Sequence, residues 1–416
     1  MNAILLGWVA TSYLLAAAMS LVPLGRAADI YGRKRIFLYG VSIYTFASFL
    51  ITISNSTTTL IIFRILQGVG SAMLFGTSVA ILTSVFPIEE RGKVLGINVA
   101  GVYLGLSLGP FLGGILTHYL GWRSIFSVNV LLGVIIIVVI FWKLKGEWAA
   151  AKGEKFDFIG SLVYASGLLL LMYGFSLLPK MSGIVSVLIA ILGILLFIKW
   201  ESQMASPILS INLFKNNTVF IFSNLAALIN YCATSAVSFL LSLYLQYIKG
   251  LNPREAGIIL VAQPIIMTFF SPIAGRLSDK IEPQTVSSIG MGLTTVGLFS
   301  LIFLSNKTAL TFIIVNLIIL GFGFAFFSSP NTNAIISAVE KRSYGVASGT
   351  LATMRLIGQM LSMGIVMIIF GIYIGRVQIT PEYHPLFLIS AKISFTIFAV
   401  LCFGGIFASL ARGKLR

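Results

Sequence analysis

Thirteen stretches of this chain are each long and apolar enough to cross a lipid bilayer, and little sequence is left between them. They lie at about 4–24, 36–54, 59–85, 94–117, 124–142, 158–178, 182–200, 217–246, 256–274, 284–304, 308–337, 344–372 and 386–411. A helix rises about 1.5 Å per residue and the hydrocarbon core is about 30 Å thick, so about 20 apolar residues suffice to span it. Backbone polar groups find no partner in hydrocarbon, so lipid-exposed spans of this kind must be helical. The two longest connections, 143–157 and 201–216, are too short to house a soluble domain. The expected fold class is an all-α polytopic membrane protein. No nucleotide-binding loop of the form GxxxxGK[ST] occurs, which argues against an ATP-driven pump within this chain.

Charge sets the orientation. Only 10% of residues are charged, against about 25% in soluble domains, and 28 Lys+Arg against 12 Asp+Glu give +16. If the segment 25–35 is cytoplasmic, about 19 of the basic residues fall in cytoplasmic connections and about 7 on the other side. Arg64 and Arg355 lie within spans. The positive-inside rule then places the N-terminus outside and the C-terminus in the cytoplasm of a multi-pass cell-membrane protein. The lipid bilayer is the expected partner. Nucleic acid is not, because no polar domain exists to present a basic face. Met1–Leu24 lacks a basic n-region and is long for a signal peptide, so it reads as a span. Cys232 and Cys402 fall in apolar runs and suggest neither a disulfide nor a metal. His118 and His384 fall in outside loops without a metal-binding neighbourhood. No metal or cofactor is expected, and a monomer is.

A short charged string occurs twice, as Gly25-Arg26-Ala27-Ala28-Asp29 and as Gly275-Arg276-Leu277-Ser278-Asp279. The second copy has two spans before it and four after it, a six-helix unit. The first has four after it but only one before it. The expected domains are therefore 1–142 with five of six helices, 143–216 with two central helices, and 217–416 with six. Repeated six-helix units are a common transporter architecture. On that symmetry the complete protein has fourteen spans, and this chain begins at the second.

Five segments carry a resemblance. Gly25-Arg-Ala-Ala-Asp29-Ile-Tyr-Gly32-Arg33-Lys34-Arg35 resembles motif A of the major facilitator superfamily. Leu60-Ile-Ile-Phe-Arg64-Ile-Leu-Gln67-Gly68-Val-Gly70 is similar to its motif B, and Gly105-x-x-x-Gly109-Pro110-x-x-Gly113-Gly114 to the antiporter motif, motif C. Asp157-Phe-Ile-Gly160 and Ala347-Ser-Gly349, followed by Arg355-x-x-Gly358, resemble the fourteen-spanner branch of drug/proton antiporters. The resemblance covers essentially the whole chain. It implies two bundles that rock about a midplane site and carry drugs or other small amphipathic molecules outward in exchange for protons. Motif C would then lie between the halves, limiting leak and setting the direction of exchange.

Each motif has a chemistry of its own. Motif A reads as a tight turn in which Gly25 and Gly32 supply positive φ and close approach. There Asp29 would bond an arginine (Arg26, Arg33) or a helix N-terminus as a conformational latch, among Lys34 and Arg35. Its second copy offers Gly275, Arg276 and Asp279 without the dense basic run. The plain alternative is a basic turn that only sets topology. Arg64 costs about 3 kcal/mol or more inside a span unless carbonyls, water or an acid offset it. It and Arg355, with Gln67 and Gln359, are candidates for proton coupling or for lining the cavity; the alternative is a purely structural interhelical bond. The glycines of motif C form a smooth stripe for another helix, with a kink at Pro110. Tyr13, Asn98, Tyr103, Asn224, Asn230, Tyr231, Gln263, Phe324, Phe327, Asn331 and Asn333 are candidates for a substrate cavity.

All twelve acids map to connections or span ends. A proton antiporter usually needs a buried carboxylate, and the family resembled often carries one on its first helix. Three explanations stand: that acid belongs to sequence upstream, coupling uses Arg64 with a helix-end acid, or the protein is not a proton antiporter. An uncoupled metabolite exporter of the same fold and a truncated, non-transporting membrane protein are the rival readings. No constellation suited to an enzyme sits within the spans.

Overall fold

The computed structural model describes residues 3–204, 206–209, 214–215, 217–340, 344–375 and 377–413, excepting the side chains of 3, 88–93, 95–97, 99, 100, 103, 106 and 107. Tyr103 lies outside the described side chains, as do Glu89, Glu90, Arg91 and Lys93; Lys341, Arg342, Arg376, Lys414 and Arg416 lie outside the described residues. The elements are α1 (Ala3–Tyr31), α2 (Arg33–Thr52), α3 (Thr57–Val85), α4 (Ile88–Leu120), α5 (Arg123–Lys143), α6 (Phe158–Leu177), α7 (Met181–Glu201), α8 (Thr218–Thr234), α9 (Val237–Leu243), a π-helical turn (Tyr244–Ile248), α10 (Pro253–Leu260), α11 (Ala262–Lys280), α12 (Pro283–Leu301), α13 (Leu310–Ser337), α14 (Tyr344–Tyr373) and α15 (His384–Ala411). No strand occurs among the described residues. Counting α8–α9 with the π turn, and α10–α11, as single rods gives thirteen. Among the described residues eleven are long and apolar enough to cross a membrane; α4, described only in part, and α12, diluted by glycine, serine and threonine, complete the set.

Three expectations change. The duplicated charged string is helix, not turn: Gly25–Asp29 forms the last two turns of α1, and Gly275–Asp279 the end of α11. Alanine favours the helix in the first copy, and the backbone turns only at Gly32, with φ 118°. Gly25 needs no left-handed angle. Two apolar stretches are broken rods. Pro264 cannot donate to the Leu260 carbonyl, and the break between α10 and α11 falls at Val261. Between α8 and α9, the Thr234 and Ser235 hydroxyls bond back to Asn230 O and Tyr231 O (2.8 and 2.7 Å), a contact that bends helices. His118 and His384 belong to helix ends rather than loops.

Glycines set how closely the rods approach. A methyl on Gly321 of α13 would stand 2.8 Å from Gln263 O and 2.8 Å from Ile266 Cβ of α11. On Gly68 of α3, it would press on Tyr13 O and lie 2.9 Å from Ala16 Cβ of α1. Gly70 faces Tyr44 N and Gly40 O of α2 at 2.7 and 2.9 Å, and Gly323 faces Thr294 N and Gly290 O of α12 at the same 2.7 and 2.9 Å. Residues 13, 16, 40 and 44 thus recur 250 positions later, and 68 and 70 recur 253 positions later. One three-helix unit is built twice. Apolar tails give no hydrophobic force between helices in lipid, so this close packing carries much of the association.

The same offsets relate the contacts between the copies. A methyl on Gly7 of α1 would stand 3.0 Å from Met367 Cγ of α14, and one on Gly257 of α10 would stand 3.2 Å from Gly114 Cα of α4 and 2.6 Å from Pro110 O. Both seams lie toward the end opposite residues 25–35. The central helix α6 lies along the α1–α14 seam: Tyr164 Oη donates to Ala18 O at 3.0 Å, and a methyl on Gly364 of α14 would stand 2.6 Å from Phe175 and 3.2 Å from Met172. Its partner α7 packs on α6 through Gly174 and Gly183 and otherwise exposes an apolar surface suited to lipid.

Gly321→Ala is expected to destabilise the fold by about 1–3 kcal/mol through overpacking. Gly292→Ala, where a methyl meets nothing within 4 Å, should be neutral or stabilising by up to about 1 kcal/mol. Thermal unfolding of the two purified variants in one detergent checks the pair.

Candidate functional site

Arg64 sits seven residues into α3, about 10 Å along the rod. Its Nε donates to Val9 O of α1 at 3.1 Å and its Nη1 to Gln67 Oε1 at 2.6 Å. The guanidinium lies over the Tyr13 ring at 4.4 Å and beside Phe126 of α5 at 6.0 Å, where π faces offset part of the desolvation cost. Gln67 is fully buried and donates through Nε2 to Ser48 Oγ at 2.8 Å, and Ser48 donates to Tyr44 O at 2.7 Å. That relay fixes the amide so that its oxygen faces the arginine. Tyr13 Oη shares a hydrogen with Ser71 Oγ at 2.6 Å. No acid pairs with Arg64 among the described residues. The result is a positively charged group held in place by neutral ones, able to receive an anionic or electron-rich group. Sequence reasoning found Arg64, Gln67 and Tyr13. It missed Val9, Ser48 and Phe126, which reach the site from three other helices.

The second span arginine has a parallel environment. Arg355 of α14 lies over the Tyr231 ring of α8 at 4.9 Å. Tyr231 meets Phe324 edge-on at 5.5 Å and Ser328 Oγ at 3.5 Å. Gln359 follows one turn later, half-buried. Each arginine therefore stacks on a tyrosine of another helix.

Motif A forms a clasp at the basic end. Arg33 binds Asp29 through Nε and Nη2 at 2.8 and 2.7 Å, and its Nη1 donates to Ala80 O and Ser84 Oγ of α3 at 3.2 and 2.6 Å. Arg26 pairs with Glu154 at 2.5 Å. The 143–157 connection straps the clasp: Glu147 accepts from the backbone N–H groups of Lys34 and Arg35, Arg33 N donates to Trp148 O, and Ala151 N donates to Asp29 O. Glu147 thereby occupies the N-terminus of α2, where the helix dipole favours an anion. The Ser206 hydroxyl and the Arg26 guanidinium hold the Glu154 carboxyl below the usual carboxylate range. A lowered value means the pair is intact at neutral pH and is lost only as pH falls through that value. In the second copy Asp279 accepts from Asn333 Nδ2 of α13 at 3.1 Å. Gly275 packs against Ser329, and Arg276 lies on the same last turns of α11.

Several other candidates are taken up in packing or in fixed hydrogen bonds. Phe327 is fully buried in the core of the second copy. Asn331 is spent on Ser223 O at 3.1 Å and on Arg412 at 3.2 Å, and Asn224 on Phe220 O of its own helix at 2.9 Å. Asn230 is fully buried with neither amide atom bonded. Gln263 serves the Gly321 contact through its carbonyl, and Asn98 is half-buried on α4. The motif C stripe is used only in part. Pro110 and Gly114 touch α10 and Gly113 lies 3.9 Å from Ile125, whereas methyls at Gly105 and Gly109 would meet nothing within 4 Å. Arg412, which the sequence did not single out, is almost fully buried at the end of α15, bonded to Ser223, Asn331 and Ser409. Burial pushes its guanidinium down to about 10, so it stays charged at neutral pH.

Comparison with known proteins agrees with this architecture. The sequence profile of the Major Facilitator Superfamily matches residues 1–363 and 223–415. The riboflavin transporter RibZ of Clostridioides difficile (strain 630) is 32% identical over 402 residues, covering 96% of this chain and 87% of that protein. Multidrug resistance protein 3 of Bacillus subtilis (strain 168) is 30% identical over 367 residues, 86% of this chain and 71% of that protein. A crystal structure of the peptide transporter POT in complex with alafosfalin superposes with a TM-score of 0.70 at 16% identity, covering 100% of this chain and 87% of that one, a likeness of fold. These relatives are transporters rather than enzymes. With its all-helical membrane fold built on a duplicated helical unit, the chain belongs to the Major Facilitator Superfamily.

Proposed function

We propose that this chain exports small amphipathic molecules across the cell membrane in exchange for protons, by alternating access. The observation that carries the reading is the pair of symmetry-related seams, Gly7 on Met367 and Gly257 on Gly114. Two such seams let bodies formed by 1–142 and 217–416 rock against each other, with 143–216 between them. Arg64, on its Tyr13 platform, supplies the charge that substrate and proton would feel in turn. The charge asymmetry of the connections supports an outside N-terminus and a cytoplasmic basic end. There the Asp29–Arg33 clasp would hold one state, as motif A does in the resemblance. The multidrug resistance relatives support a drug-like substrate. A second reading, uncoupled export of a planar metabolite, is favoured by the relative named a riboflavin transporter and by the lack of an acid paired with Arg64 among the described residues.

Cells producing the protein are expected to expel a fluorescent amphipathic cation, and a protonophore should abolish the expulsion. Riboflavin efflux that survives the protonophore would select the second reading. Arg64→Gln should lower coupled efflux at least about tenfold, the scale of one lost charge-assisted hydrogen bond, with Arg64→Lys intermediate because the ammonium keeps the charge without the fork. Asp29→Asn should slow efflux several-fold while leaving equilibrium substrate binding near wild type. Binding and efflux measured on the same preparations separate the two effects.

A further inference from the structure

Two carboxylates meet at the basic end of the central helices, away from both arginines. Asp157 caps α6: Oδ1 accepts from Gly160 N at 2.8 Å, and Oδ2 accepts from the Trp200 indole Nε1 of α7 at 2.9 Å. Glu201 is the last residue of α7 and only 2% exposed. Its Oε2 accepts from Leu209 N at 3.1 Å, while its Oε1 is buried with no hydrogen-bond partner among the described residues. A methyl built on Gly160 would overlap Asp157 Oδ2 and stand 2.8 Å from Glu201 Oε1. The orphan oxygen and Asp157 Oδ2 therefore border the same small space, the one that a single side-chain atom on Gly160 would fill, close enough for the Asp157 charge to act on Glu201.

The surrounding charges do not neutralise two anions. Arg26, from α1, reaches Glu201 only through space and is engaged by Glu154. Lys199 of α7 and Lys155 of the 143–157 connection are exposed. The 206–209 segment offers backbone N–H groups and Ser206, whose hydroxyl serves Glu154. Two buried carboxylates at this range cannot both be ionised cheaply, and in proteins they share a proton. A proton on Glu201 Oε1, donated to Asp157 Oδ2, satisfies the orphan oxygen and leaves the indole and capping bonds intact.

We propose that Asp157 and Glu201 share one proton and form a proton-binding site at the basic end of α6 and α7. The proton enters from water at that end and returns to it, and no other bond changes. Its loss sets two negative charges against each other at the start of α6, the helix whose Tyr164 and Phe175 brace the α1–α14 seam. Occupancy of the pair is thereby felt where the two halves meet. Only this consequence rests on the proton-coupled reading above; the site itself does not.

The test uses the full chain in lipid nanodiscs without substrate. Infrared difference spectra between acid and alkaline pH should contain a protonated-carboxyl band that Glu201→Gln removes. Emission attributable to Trp200, taken as wild type minus Trp200→Phe, should titrate in one step that Glu201→Gln abolishes. Glu201→Gln should also melt within a few degrees of wild type, because its amide can donate to Asp157 as the proton does. A carboxyl band and a Trp200 step that both persist in Glu201→Gln would overturn the proposal, as would their absence from the wild type. Where Glu201→Gln fails to fold, Asp157→Asn, which keeps a capping oxygen, carries the same two readouts. A titrating pair in a transporter indifferent to protonophore would remove the coupled reading and leave the site. Coupled efflux without the titration would remove the site and leave the coupled reading.

Discussion

Backbone meeting backbone at glycine is the contact on which this structure depends. In a bilayer the helices gain nothing by hiding apolar side chains from one another, so association rests on close approach and interhelical polar contacts. Gly68, Gly70, Gly321 and Gly323 each leave no room for a side chain, and their neighbours recur at matching positions in both copies. The seams between the copies follow the same symmetry through Gly7 and Gly257. Within a copy the contact is rod against rod along several turns. Between copies, α1 and α14 share a buried cluster that includes Leu15, Leu21, Leu356 and Met360, beside the contact at Gly7.

Charge is distributed in a complementary way. Within the spans, Arg64 and Arg355 are supported by tyrosine faces and, for Arg64, by a carbonyl and an amide. At the basic end, loop acids hold the connection in place: Glu154 by an ion pair to Arg26, and Glu147 by accepting backbone N–H groups at the start of α2. Exposed pairs of that kind contribute little stability one at a time, but here they fasten the 143–157 connection to motif A. The Asp157–Glu201 pair lies just beyond, joining the same connection to the central helices.

Much of the fold was legible in the chain, because hydrocarbon leaves one solution for an apolar stretch of this length. The thirteen rods follow from that alone. The breaks at Val261 and Ser235 were harder to read. Pro264 carried a local signal for the first, while the second depends on hydroxyls bonding back to the helix and leaves the apolar pattern untouched. Motif A was found by its residues but misplaced as a turn, since helical backbone can continue past the hydrocarbon edge into polar surroundings. For the site, Arg64 announced itself by the cost of its burial. Phe327, Asn331 and Asn224 were expected in a cavity; Phe327 is packed in the core, Asn331 bonds another helix and Asn224 its own. A polar or aromatic residue within a span carries no mark of which neighbour it faces.

What the sequence by itself determined was the solvent, the class of fold, the duplication and the sites where charge had to be compensated. Each of these follows from transfer energy and from spacing along one chain. Only the tertiary structure decided the partners. Gln67 is oriented by Ser48 from another helix, Glu147 and Glu154 fold back onto Arg26 and the α2 terminus, and Glu201 comes to face Asp157 across α6 and α7. These pairs are separated by tens of residues, and nothing in local composition ties one member to the other. They are created by the angles and distances at which the rods cross.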